Sequence, residues 1–549
     1  MASLNPNNNA LGVTYAKHLL KRGTFTYTKV LVDQFSKLTP SQALDLLLQD
    51  SPLVLSYPYD PLPTNAPDGF WTESTLLPSS FGSQKRKASI VSGWWWYNAI
   101  NTPTLKFKLS HFLSTRFTVE KSNGAGTSTE FYDYIRLMLF HSFGNYKSLA
   151  KRVTVSNSML DYLNNTDNNK NSPNENYARE FFELFTIGKG TQIGAGNYTT
   201  YTEADIIQAA KVLTGFKRKN DRTVIDLTIG IPKGYNLFSQ HDVSPKIFSS
   251  AFKNKTINSA TSDLTMDQEL DDFVEMIFNE IATAKNICRK LYIYFVKGTI
   301  TAEVENDIIT PLSQFLYDNN YEIAPTVRKL LMSQHFYDLD DGNVSDETIG
   351  AIIKSPLQQI SEICTYLQAT IPNPTSDALN FFNQFWHRFV HDTFLAGSNM
   401  LLFDPENVAG HLAYYQGPSF DKSWISSSTL IARYRLGESL LDGRNRINGN
   451  ATIAGKIDIS AVVKNGGIIS DPSNSFVLTS ELCNALFAQV PNADRVNYFM
   501  NSFLLQGLET FYWTDAWNLF LSDANSTVVE PRLKLLVTKL LSTPESQIF

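Results

Sequence analysis

Apolar residues recur at three- and four-residue intervals along most of this chain, the spacing that turns one face of an α-helix inward. Leu11 to Leu20, Ser41 to Gln49, Glu130 to His141, Asp205 to Leu213, Asp267 to Tyr294 and Thr326 to Ser333 all carry it. Thr39-Pro40-Ser41 adds a helix start, with proline near the first turn. One region departs from the pattern. Val224 to Ile229 alternates, Pro232 and Gly234 punctuate, and Leu237-Phe238 leads into His241-Asp242. A small β-hairpin or lid is expected over Thr223 to Thr256. Gly82 to Lys87 and Asn123 to Gly126 read as loops by composition, and the Gly/Ser/Asn-rich Ala451 to Ser475 as a flexible insert. The expected fold class is mainly α. It is a large multi-helix single body over residues 1–549, or two helical lobes divided near Val344, with a small β-hairpin insert.

The segment from Pro173 to Gly188 carries both ends of a helix. Asn174 can cap the first turn, Glu175 places a negative charge there, and Gly188 can take the left-handed conformation that ends it. At about 100° per residue, Glu175, Asn176, Arg179, Glu180 and Glu183 share one face, and Tyr177, Ala178, Phe181, Phe182, Leu184 and Phe185 the other. Glu175 to Arg179 and Arg179 to Glu183 are i,i+4 pairs, so Arg179 can bridge the two glutamates. A solvated, ion-paired helix surface has this pattern. So does a polar seam buried against other helices, or an acid/base or metal site.

The same segment, Pro173-Asn174-Glu175-Asn176-Tyr177-Ala178-Arg179-Glu180 with Glu183-Leu184, Thr186 and Gly188, resembles the signature of the bacterial domain-of-unknown-function 1800 family. Further blocks resemble the family in order. They are Tyr201 to Ile207, Ala209 to Phe216, His241-Asp242 with Lys246, Phe403 to His411, and Trp424 to Arg433. Phe216 stands where the family has tryptophan, and Ser249-Ser250 where it has a glycine. Asp404 and His411 replace a proline and a tryptophan. His18 to Arg22 and Leu541 to Glu545 resemble its two ends, so the likeness covers nearly the whole chain. The resemblance implies no activity. It does imply genomic company with a sulfatase/phosphatase-like protein, and so a possible partner of that class and a place at the periplasm or cell envelope.

Composition narrows the classes. A net charge of −6 gives no electrostatic case for nucleic acid. No apolar run approaches the roughly 20 residues a transmembrane helix needs. The start, Met1 to Asn9, lacks the basic-then-apolar order of a signal peptide, which by sequence alone reads as cytoplasmic. Cys288, Cys364 and Cys483 lie far apart in apolar surroundings and read as buried free thiols. Trp94-Trp95-Trp96 spreads over about 200° of a helix, so its rings must meet different surroundings.

Two constellations are candidates for chemistry. Asp167 and Asn169, with Glu175, offer alternating oxygens to a divalent metal such as calcium, although the glycine and glutamate of an EF-hand are missing. The alternative is an Asn-rich turn before the helix cap. His241 beside Asp242 can titrate near neutrality. Meeting Glu180 or Glu183 under Arg179, it would supply the two unlike titratable groups of an acid/base catalyst. Asp338, Asp340, Asp341 and Asp346 read as a solvated acidic turn. Two functions stay open: a hydrolase-like or metal-assisted enzyme around a Glu/Arg/His cleft, or a scaffold or interaction protein in which the same residues hold helices together.

Overall fold

A computed structural model of the chain describes residues 2–50, 53, 55–62, 68–74, 77–80, 82–122, 124–342 and 347–549. The fold is mainly α, and the strands form short antiparallel pairs. The division expected near Val344 and the side chain of Asp346 lie outside the described residues, as does Asn123. One continuous apolar cluster includes Leu19 near one end and Leu541 near the other.

Most expected helices form close to their expected limits, including Gly12–Gly23, Pro40–Leu47, Ser128–Phe140, Glu203–Val212 and Ile323–Leu331. The long stretch Asp267 to Tyr294 is instead two helices, Asp263–Phe278 and Ile281–Phe295, broken at Asn279-Glu280. The loop expected from Gly82 to Lys87 is mostly helix, because Gln84–Asn101 starts inside it. Gln84 to Ala88 holds good helix formers, and Lys87 is drawn inward to the Asp60 carboxylate at 2.8 Å. Residues 451–475 carry the helix Ile459–Asn465, with Ile457, Ile459 and Val463 buried.

The region from Thr223 to Thr256 holds strand pairs rather than one hairpin. Ile225–Asp226 pairs with Ile231–Pro232, and Lys246–Ile247 with Thr256–Ile257. Phe216–Lys217 pairs with Tyr235–Asn236, and Gln192–Gly194 with Asn197–Tyr198. The three tryptophans are all buried, each in different company. Trp94 meets Tyr132, Trp95 meets Phe107 and Phe403, and Trp96 stacks on Trp386. The cysteines are free and buried.

Among the described residues, four segments widen into π-helix: Phe181–Phe185, Glu305–Ile309, Asn380–Leu395 and Met500–Leu505. In three of them a threonine hydroxyl donates to the carbonyl five residues earlier. The pairs are Thr186 to Phe181 at 2.5 Å, Thr310 to Glu305 at 2.8 Å and Thr393 to Arg388 at 2.7 Å. Such widened turns redirect side chains and are frequent at functional sites.

The core also encloses cations. Lys21 and Lys354 meet the Glu362 carboxylate at 2.9 and 2.8 Å. Lys108 donates to Gln358 at 2.6 Å and lies against the Phe25 ring. Arg433 donates to Gln547 and to the Lys354 carbonyl, each at 2.9 Å.

Candidate functional site

Asn174 caps the signature helix by accepting the Asn176 N–H at 3.0 Å. The helix runs α from Glu175 to Glu180 and then turns π from Phe181 to Phe185. Tyr177, Ala178, Phe181, Phe182 and Phe185 are buried, which is the apolar face expected from the spacing. Gly188 ends the segment at φ +73, and its N–H donates to the Phe182 carbonyl at 2.8 Å.

Arg179 pairs with Glu175 at 3.2 Å but turns its fork to Glu203, at 2.6 and 3.0 Å. Its hydrogen bonds to Glu203 raise the guanidinium and lower the Glu203 carboxyl. The expected bridge from Arg179 to Glu183 does not form. Glu183 lies in the π turn and instead accepts the Tyr201 hydroxyl at 2.9 Å and pairs with Lys189 at 2.7 Å. Glu180 is left without a hydrogen bond or ion pair among the described residues. Burial, and then the Glu183 charge, push its carboxyl up from 4.5 to about 6, against the pull of Lys189 and Arg179.

His241 is fully buried and does not join the Glu180/Glu183 face through any hydrogen bond or ion pair. Its Nδ1 lies 2.7 Å from the Thr214 carbonyl and its Nε2 2.8 Å from Oε2 of Glu269. Lys246, also fully buried, completes the knot at 2.7 Å from Oε1 of Glu269 and 2.5 Å from the Asp242 carbonyl. Asp242 accepts the Ser244 N–H at 2.8 Å. Burial raises its carboxyl, but the Ser244 hydrogen bonds and Lys246 outweigh that and hold it below the usual range. His241 thus takes Glu269 rather than Glu180 or Glu183 as its carboxylate partner, and Asp242 lies partly exposed beside the buried junction of His241, Glu269 and Lys246. The residue that sequence reasoning missed is Glu269. It sits on the apolar stripe of the helix Asp263–Phe278, beside Met266, Leu270 and Phe273, where a carboxylate calls for buried cations.

Of the oxygens proposed for a cation, Asn169 Oδ1 serves the turn before the cap and Glu175 pairs with Arg179. Asn169 donates to the Asp167 carbonyl at 3.1 Å and accepts the Asn171 N–H at 3.1 Å, while Glu175 faces Arg179. Asp338 and Asp340 are fixed acceptors rather than a solvated turn. Asp338 takes the Thr348 and Ile349 N–H groups, and Asp340 pairs with His335 at 2.8 Å.

A second constellation lies on the π-helix Asn380–Leu395. Among the described residues, His387, His391 and Asp392 form the one group of three or more His, Cys, Asp or Glu side chains whose ligand atoms lie within 4.8 Å of one another. A cleft of about 510 Å³ lies elsewhere, lined by Tyr57, Trp94, Tyr132, Arg136 and Phe140 among others.

The blocks thus lock onto one another: Arg179 to Glu203, Glu183 to Tyr201, Thr214 to His241, and Asp205 to the Ser249 N–H at 2.7 Å. They define a mainly helical protein in which signature residues Arg179 and Glu183 contact the block that follows. The chain belongs to the family described as protein of unknown function (DUF1800), whose sequence profile matches residues 18–548. No curated protein and no solved structure matches it. No helix of the described residues is long and apolar enough to cross a membrane.

Proposed function

We propose that the chain is a non-catalytic interaction protein that docks a partner protein of the sulfatase/phosphatase-like class implied by its family. The observation that carries this is the sealing of the junction formed by His241, Glu269 and Lys246, in which solvent and substrate have no access to the imidazole. Groups used up in this way fix packing.

The helix Thr510–Asp523 supplies a surface for the partner. Trp513, Trp517 and Phe520 turn inward, while Phe511, Tyr512 and Leu519 lie about half-exposed within an arc of roughly 100° on the opposite side. The Phe511 and Tyr512 rings stack at 4.2 Å, a preformed aromatic plate of the kind that anchors interfaces. Asp515 and Asp523 are the charges on this helix, which suits an apolar partner surface with a basic rim. The test is co-elution of the full chain with such a partner, compared with a Phe511→Ser, Tyr512→Ser, Leu519→Ser variant. Co-elution lost in the variant supports the proposal. A wild-type chain that elutes alone, or that pairs with itself through this helix, overturns it.

A second reading rests on Glu180, whose raised, unpaired carboxyl suits a general acid in a hydrolase. A hydrolase substrate screen that finds turnover abolished in a folded Glu180→Gln variant would favour that reading over docking.

A further inference from the structure

The geometry assigns a divalent transition-metal site, with zinc as the expected ion, to His387, His391 and Asp392. The helix Asn380–Leu395 is π throughout, and its register shows in the Thr393 hydroxyl bonded to the carbonyl of Arg388. A π-helix turns about 80° per residue, so positions i+4 and i+5 fall about 40° to either side of position i. His391 and Asp392 therefore flank His387. On an α-helix Asp392 would stand about 140° away from His387, on another face.

The ligand atoms are spaced for one ion. Nδ1 of His391 lies 2.8 Å from Oδ1 of Asp392, and Nε2 of His387 lies 3.5 Å from Oδ2. Two atoms each bound at about 2.0–2.2 Å to one ion stand roughly 3.0–3.6 Å apart for angles between square and tetrahedral. The edge between His387 and Asp392 falls within that range, and the 2.8 Å contact of His391 with Asp392, a hydrogen bond here, lengthens by a few tenths of an ångström to admit an ion. The neighbours treat the two rings differently. His387 lies parallel to Phe382, with ring centroids 5.2 Å apart, while His391 meets Lys121 Nζ 3.1 Å from its Nε2, a contact the ring gives up when it turns Nδ1 to an ion. Packing against Phe382 limits the orientations open to the His387 ring.

Two imidazoles and one carboxylate suit borderline ions such as zinc rather than calcium or magnesium, which prefer all-oxygen shells. The side chains of His387 and Asp392 are 40% and 50% exposed, so the remaining coordination positions open to solvent. Such an open site can hold a water or an external ligand, unlike a closed structural one. This assignment holds whatever docks on the helix Thr510–Asp523.

The test uses the full chain stripped with chelator. Zinc is titrated calorimetrically, and cobalt substitution is followed by its visible absorption. The expected result is one ion per chain. His387→Ala and Asp392→Asn should each weaken binding by about 100-fold and lose the cobalt band, while the circular-dichroism spectrum stays unchanged. His387→Ala and Asp392→Asn act on partly exposed side chains, so one variant checks the other. Absence of stoichiometric zinc binding in the wild type, or wild-type affinity in both variants, would overturn the assignment. Tighter binding of calcium than of zinc would do the same.

Discussion

Nε2 of His241 lies 2.8 Å from Oε2 of Glu269, with both side chains shut away from solvent. Lys246 closes the other side of the same carboxylate at 2.7 Å. Two segments that meet family blocks, around Thr214 and around His241, are tied through this carboxylate to the helix Asp263–Phe278. The arrangement explains how residues of catalytic type serve the fold.

Arg179→Ala should cost about 1 kcal/mol or less in urea unfolding. The signature face is about a third exposed, so its ion pairs are screened by water. A loss of several kcal/mol would mean that the face is buried in solution, contrary to the structure.

Glu180 should make stability depend on pH in the acidic range. Its carboxyl is raised from 4.5 to about 6 in the folded state, so the fold binds a proton more tightly than the unfolded chain. The stability this adds is fully present below pH 4.5 and is lost as pH rises through about 6. After allowance for partial exposure the effect should be about 1 kcal/mol. Glu180→Gln should flatten the melting temperature between these two pH values. An unchanged profile would show that the carboxyl is not perturbed.

Lys108 should have the opposite slope at higher pH. Burial, then Arg22, lowers its ammonium from 10.5 to about 7, with Glu362 opposing. The folded state therefore holds fewer protons than the unfolded one over that interval, and stability rises as pH increases from about 7 towards 10.5. Lys108→Met should remove about one proton from that slope and stabilise the protein near neutrality by about 1–3 kcal/mol. A destabilised variant with the slope intact would contradict the buried, strained cation.

Much of the fold was legible because helical spacing is local. The buried face of Tyr177, Phe181, Phe182 and Phe185 follows from it directly. The break at Asn279-Glu280 was hidden, since the apolar spacing continues through it. The candidate site was less legible for a specific reason. The α-helical period puts Glu183 beside Arg179, whereas the π turn hands it to Tyr201 and Lys189. A widening of the same kind in Asn380–Leu395 brings Asp392 to His387 and His391, which an α-helical projection keeps apart from it. The partnership of His241 with Glu269 spans 28 residues, and spacing alone gives no measure of it. The glutamate on an apolar stripe was the available sign.

The most direct measurement is a double-mutant cycle on His241 and Glu269, using His241→Ala, Glu269→Ala and the double variant in urea unfolding. If the signature blocks serve the fold, Glu269→Ala alone should cost about 3–5 kcal/mol, because it strands Lys246 and His241. The coupling energy between the two residues should then be about 2 kcal/mol or more. Coupling near zero with both single variants as stable as the wild type would contradict the account, and the buried junction would have to be regarded as something other than a structural lock.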